Sequence, residues 1–553
     1  MLVNILRRSL VLALLLVSFF TLALAERRER LVDAWRPTHY DVSLRLNDQL
    51  TEISYAETDI RIEVLKAPLS VIDLDFGQMT IDSVKYMNAP VRFEQAGGKL
   101  NVYLPRPMNK NDVFTIEVIY HGRPDEGLTL TTDKAGKPSA TGDNWPDRVH
   151  HWIPCLDHPS AKATVNFNVT APARDTVVAN GQFVSTRSNP DSTRTWVYTE
   201  ARPIPPYCMI IAVGEYAQSQ LPTNTSTPLA FYVPLTDRDV AARGFNSAAP
   251  TLQFFSEKVA PYPYEKLALI VGATRYGGME NSSAIVFSGT LFNTPLDAQP
   301  LSRRFNVRRG LVEVTAHEIA HQWFGDSVSI KTWSDLWLSE GFATYFAALF
   351  VERFEGQEAF REFMQRAAKT YFAYERGRLA PIYDTETEDL MKLLNGNNYQ
   401  KGAWVLHMLR GLLGDEAFFR GIRDFYLKHE DKSASTEDLR AALERASGKN
   451  LKEFFARWVY GSGHPRYEAS WSWRKDKSGR GTLKIHLEQT QEGTPFLNPL
   501  LVEIVTEKGI EHTTFTLGDR YSSLFILLPK RPIDVRIDPN ETVLKELVVR
   551  QEP

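Results

Sequence analysis

Apolar and polar positions alternate with a period of two along much of the region 31–217. Tyr40-Asp41-Val42-Ser43-Leu44-Arg45-Leu46 and Asp59-Ile60-Arg61-Ile62-Glu63-Val64 each place every second side chain on one face, as half-buried strands do. Turn clusters such as Ala96-Gly97-Gly98-Lys99 separate the runs. Residues 127–147, rich in Gly, Thr, Asp and Pro, predict an exposed loop. Near residue 218 the period changes, and helical patterns dominate to about residue 460. Beyond Gly461-Ser462-Gly463-His464-Pro465 alternation returns, as in Thr482-Leu483-Lys484-Ile485-His486-Leu487. The pattern divides the chain into a β block (26–217), a mainly helical block (218–463) and a β module (464–553), with no internal repeat.

Residues 1–25 stand apart. Arg7 and Arg8 precede an apolar run over 10–22, and Ala23-Leu24-Ala25 ends it with the small-x-small pattern of a cleavage site. This predicts a secretory signal peptide and an exported chain, periplasmic or secreted. The run falls short of the roughly 20 residues of a spanning helix, so no stable membrane span is expected after cleavage.

The remaining composition is that of a globular protein. Of 553 residues 43% are hydrophobic and 24% charged, enough for several domains with real cores. A net charge of −3 gives no electrostatic reason to expect nucleic acid as a partner. Cys155 and Cys208 are the only cysteines, and export permits a disulfide without requiring one. Neither has a neighbouring Cys or His at finger spacing, which excludes a structural zinc module.

The chemistry concentrates in His317-Glu318-Ile319-Ala320-His321, within a helix predicted over 307–324. An i, i+4 pair sets both imidazoles on one helix face, a spacing that suits two ligands of one zinc. Glu318 beside them can reach a water at the metal as general base. A chain with 12 His would show such a motif by chance roughly once in fifty. Glu340 decides against chance. Eighteen residues separate it from His321, and a second helix starting near Asp335 can turn it toward the same metal. Two His and one Glu leave the fourth zinc position open, the pattern of a catalytic site.

The segments HEIAHQWFGD, WSDLWLSEGFATYF and YGGMEN (276–281) resemble the aminopeptidase N (alanyl aminopeptidase) family of zinc metallopeptidases, from about residue 37 onward. The resemblance implies a multidomain α+β protein: an N-terminal β-saddle domain, a thermolysin-like mainly helical catalytic domain and a small C-terminal β-sandwich. It implies one Zn2+ held by His317, His321 and Glu340, with Glu318 as base. It also implies peptide substrates with a free N-terminus. Glu280 matches the carboxylate that holds the substrate's α-ammonium, a charge-assisted bond that fixes register. Gly277 and Gly278 suit a close backbone approach by an extended substrate, and Met279 is a candidate wall of the first side-chain pocket. Tyr399, at the start of a helix predicted over 399–413, matches the phenol donor to the oxyanion, with Tyr383 as an alternative. Glu313 and Asp326 are candidates to orient the imidazoles. The same zinc site in a leukotriene-hydrolase relative opens an alternative reading as an epoxide hydrolase, and a non-catalytic peptide-binding relative is a second.

Two departures stand out. Nine residues before Pro154 the family carries Gln or Glu as a second holder of the amine, and this chain has Trp145, with Asp143 and Asp147 close by. The 88 residues after Pro465 read as β, so the large helical domain that caps the cleft in many relatives is not expected, and the site should be open.

Overall fold

The computed structural model describes residues 26–552 apart from 239–242, 294–296 and 478. The expected signal peptide, 1–25, lies outside the described residues. In the first block Trp35–Leu46 and Ile53–Val64 pair antiparallel, with Tyr40 opposite Ile60, while Trp35–Leu46 runs parallel to Ala163–Pro172 on its other side. These strands belong to an eight-stranded sheet. Tyr40, Val42, Leu44 and Leu46 are all buried, so the period-two pattern does what it predicts.

The expected exposed loop at 127–147 is instead a hairpin. Gly127–Thr132 and Pro138–Asp143 pair as two strands of a four-stranded sheet. Asp133 Oδ1 accepts from the backbone N–H of Ala135 and Lys137 and closes the turn. Residues 140–146 are buried. The tip turns at 133–137 and the chain turns again at 145–147, and the Gly, Asp, Asn and Pro over 142–146 pack inside instead of facing solvent.

The middle block opens on a mixed five-stranded sheet. Its strand Tyr216–Gln220 crosses the junction expected at 217/218 and pairs with Leu229–Pro234. Its other edge is the two-residue strand Gly278–Met279, antiparallel to Ala284–Ser288. Two helices follow that matter most. Arg309–His321 packs against Trp337–Glu355, whose residues 337–351 are all buried. A helix buried on every side over fifteen residues belongs at the centre of a domain, and this one is its axis. The last block is a small sandwich of a four-stranded and a three-stranded sheet. Leu483, Ile485, Leu487, Val502 and Ile504 fill its core. Among the described residues no helix is long and apolar enough to cross a membrane.

Candidate metal centre and active site

His317 and His321 lie one turn apart on the Arg309–His321 helix, and Glu340 stands in the first turn of Trp337–Glu355. Packing of the two helices brings three acceptor atoms together. His317 Nε2 and His321 Nε2 are 3.1 Å apart, and Glu340 Oε2 lies 3.2 Å from the first and 3.3 Å from the second. Bonds of 2.0–2.1 Å to a tetrahedral zinc place ligand atoms about 3.3–3.4 Å from one another. The donor set therefore fits zinc in both chemistry and spacing.

Charge gives the same answer. Glu280, Glu318, Glu340 and Asp326 are all buried here, while the residues lining the cleft include no Lys or Arg among those described. Burial pushes the Glu318 carboxyl well up, opposed by His321 and aided by the charges of Glu280 and Glu340. Glu280 is carried to about 7 by burial, again against His321 and with Glu340. Burial pulls His321 down, but Glu280 and Glu340 outweigh it and bring the ring to about 10. His317 falls below its usual value by burial, as a neutral ligand should. An excess of enclosed carboxylate is what a dication would balance.

The orientation of His321 differs from expectation. Its Nδ1 faces Phe324 O at 3.2 Å and Ser339 Oγ at 3.0 Å, which leaves Nε2 for the metal. The expected carboxylates are occupied elsewhere. Glu313 pairs with Arg309 and Arg366, each at 2.8 Å, and Asp326 accepts from Gln322 and Cys208. A buried and an exposed arginine hold Glu313, and a buried amide and thiol hold Asp326. Cys155 and Cys208 are both buried free thiols.

Glu280 follows the edge strand Gly278–Met279, and its ligand oxygen, that of Glu318 and a ring nitrogen of His321 lie within 4.8 Å of one another. Gly278 is needed for this approach: a Cβ there would sit 2.3 Å from the Glu318 carboxyl. Gly277 has no such neighbour. Met279 is buried in the cleft wall. Gln322 is a tie that sequence reasoning missed. Its Nε2 donates to Glu280 O at 2.8 Å, and its Oε1 accepts from Ser283 N–H at 2.8 Å and from the Tyr262 hydroxyl at 2.9 Å. It thus locks the helix to the strand. Its place directly after the second His was the available signal.

Tyr399 sits on a turn of π-helix, Asn397–Lys401, and the α-helix Gly402–Leu413 begins after it. The predicted helix over 399–413 merges the two, because hydrophobic spacing does not distinguish a wider turn. Gly341 and Gly402 meet backbone to backbone, where a Cβ would come within 3.0 Å. That contact lets the turn reach Glu340. The ring of Tyr399 lies parallel to His317, 5.8 Å between centres, and the residue lines the cleft together with Glu340. Burial and the Glu340 charge raise the phenol well above its usual value, so it remains a donor. Tyr383 packs on Tyr460, away from the cleft lining.

These groups share one cleft of about 620 Å³. Trp145 forms part of its wall, edge-on to Tyr276 and to Trp333. Asp143 is held by Arg148 at 3.3 Å and Arg275 at 3.7 Å, and neither Asp143 nor Asp147 lines the cleft. The carboxylate alternatives to Trp145 are therefore not in reach of it.

Residues 243–458 match the Peptidase family M1 domain, and residues 36–208 match the Peptidase M1 N-terminal domain. The chain is 27% identical to human glutamyl aminopeptidase over 79% of its own length and 47% of that protein. It is also 27% identical to Arabidopsis thaliana aminopeptidase M1, over 82% of this chain and 52% of the relative. The chain thus spans about half the length of the curated relatives it matches. An M1 zinc metallopeptidase from Deinococcus radiodurans shares the fold, with a TM-score of 0.65 at 24% identity over 78% of this chain and 95% of that one.

Proposed function

The chain belongs to peptidase family M1, and from that premise we propose that it is a zinc-dependent aminopeptidase acting on peptides with a free N-terminus. One observation carries the reading: the buried Glu280 carboxylate stands within 4.8 Å of the base Glu318 and of His321. An ammonium held by Glu280 has its own peptide bond at the base, and no bond further along the chain is equally placed. A zinc ion held by His317, His321 and Glu340, one per chain, would supply Lewis acidity toward the scissile carbonyl and acidify a water molecule.

The protein's own residues do the rest. Glu318, on the same helix as the two imidazoles and lining the cleft beside them, takes the proton of the attacking water and returns it to the leaving amine. The Tyr399 hydroxyl donates to the oxygen on which negative charge develops. The edge strand Gly278–Met279 is paired on one side only and offers its other edge to an extended substrate, and Met279 lies beside the first side chain of that substrate. Export to the periplasm or the medium belongs to the same proposal and is supported by the leader pattern of residues 1–25.

The test is hydrolysis of matched peptides with free and acetylated N-termini, beside Glu318→Gln. Stepwise cleavage of the free peptides alone is expected. The variant should keep its zinc and lose turnover by roughly 10²–10⁴-fold. Equal cleavage of both peptide sets would reject exopeptidase action.

A further inference from the structure

The segment 26–30 follows directly on the predicted cleavage site, yet it is built into the catalytic block. Arg27 is only 9% exposed. Its backbone N–H donates to Thr385 O at 2.7 Å, and Nη1 donates to Thr387 O at 3.0 Å and Asp384 O at 3.2 Å. Nη2 donates to Ser334 Oγ at 2.8 Å, and that hydroxyl in turn bonds Asp384 O. Glu29 completes the cluster. One carboxylate oxygen pairs with the guanidinium at 2.8 Å, while the other meets His158 Nε2 at 3.0 Å and Trp333 N–H at 3.3 Å.

What Arg27 grips is the loop 380–394, and both ends of that loop are tied to the turn bearing Tyr399. Asn397 Nδ2 donates to Ala380 O at 2.9 Å and Pro381 O at 3.1 Å, and Asn398 Nδ2 donates to Leu393 O at 2.8 Å. The next residue, Leu394, lines the cleft. On the other side, Trp333 packs edge-on against the cleft-lining Trp145 at 5.8 Å. A rigid fork with this many donors is a costly way to hold a surface loop, because its buried charge must stay paired. It is a sensible way to fix one whose displacement would move a reacting group.

We propose that Arg27, braced by Glu29, is a positioning residue for peptide hydrolysis: it clamps loop 380–394 and so sets Tyr399 against the metal ligands. The inference rests on the aminopeptidase reading of the site. The N-terminal segment thus acts as a strap on the cleft wall, not as a trailing remnant of the leader.

The experiment is a double-mutant cycle on the purified chain with a free-terminus peptide, using Arg27→Met, Tyr399→Phe and the pair, with zinc content measured throughout. A misplacement near 1 Å predicts that Arg27→Met lowers kcat by roughly ten- to a hundredfold. KM should stay within about twofold, since an interaction made only in the transition state is lost. Arg27→Lys, which keeps the charge without the fork, should fall between. The double variant should lose no more than Tyr399→Phe alone, a non-additivity that a merely structural role would not produce. If Arg27→Met does not fold, Glu29→Gln, which leaves the fork in place but unbraced, is read in the same cycle. Wild-type kinetics in the folded variant, or losses that add, would overturn the proposal while leaving an active aminopeptidase. A wild type that hydrolyses no peptide would sink the functional reading itself.

Discussion

Gly278→Ala separates the geometry of the base from every other feature of the site. Gly278 has strand backbone that alanine adopts without strain. Its added Cβ would lie 2.3 Å from Glu318 Cδ and Oε1 and 2.4 Å from Cγ. Ordinary carbon contacts are about 3.5–4.0 Å, so the carboxylate must retreat by more than about 1 Å. The strand cannot yield in its place, because Met279 is paired with Val286 and Gln322 holds the Glu280 carbonyl. A displacement of that size is worth about 10²-fold, or about 2.7 kcal/mol of transition-state stabilisation. The assay is kcat/KM on a free-terminus peptide with zinc measured by elemental analysis. His317, His321 and Glu340 are not the groups the new methyl meets, so the metal should stay. Gly277→Ala is the control, since nothing lies within 4 Å of its Cβ position. In a Glu318→Asp background the shorter acid withdraws from the methyl, and Gly278→Ala should then cost little more. Equal activity in both glycine variants, or equal losses, would refute the steric reasoning.

Three further outcomes are expected. Burial, against the opposing charge of Glu375, pushes the Lys401 ammonium down to about 7, whereas an unfolded lysine titrates near 10.4. The unfolded state therefore binds more protons between those values, and stability rises with pH across that window. Lys401→Met should abolish this slope and stabilise the protein near and below pH 7 by on the order of 4 kcal/mol, read from urea midpoints. Gln322→Leu leaves the Ser283 N–H and the Glu280 carbonyl buried without their partner. It should destabilise by about 2–4 kcal/mol in the same titration, and an unchanged midpoint would remove the tie between helix and strand. Stripping the metal with a chelator should lower the thermal midpoint as well as the activity. Zinc at a thousandfold excess over its Kd should restore about 4 kcal/mol, and an unshifted midpoint would count against a preformed site.

What the sequence disclosed follows the range over which each interaction acts. His317, Glu318 and His321 share one helical turn, so local periodicity is enough to put both rings on one face. The strands around Tyr40 and Ile60 were legible for the same reason, since a period of two is also local. Glu340 needed the packing of two helices, and its offset from His321 was interpretable only because both helices could be read on their own. Family resemblance supplied Glu280 and Tyr399, which spacing alone would have left among ordinary acids and phenols. The glycines illustrate the limit well. Read as a pair, Gly277 and Gly278 look equivalent, whereas only Gly278 has the base against it.

The failures are all long-range. The hairpin at 127–147 reads as a loop because its burial comes from neighbouring strands and not from its own composition. Ser339 and the Phe324 carbonyl orient His321 in place of the expected acids because those acids find partners that sequence distance conceals. Trp145 is the most consequential case. In sequence it is a missing second holder of the amine, but in the fold it is an aromatic wall held edge-on by Tyr276 and Trp333, the latter anchored through Glu29 to Arg27. The indole in place of a Gln or Glu is thus not an isolated loss. It puts an aromatic face where the family carries a hydrogen-bonding side chain, and it joins the cleft wall to the segment 26–30. Recognition of the substrate amine then falls to Glu280 alone among the candidates, so Glu280→Gln should weaken discrimination against acetylated peptides more than it lowers metal content.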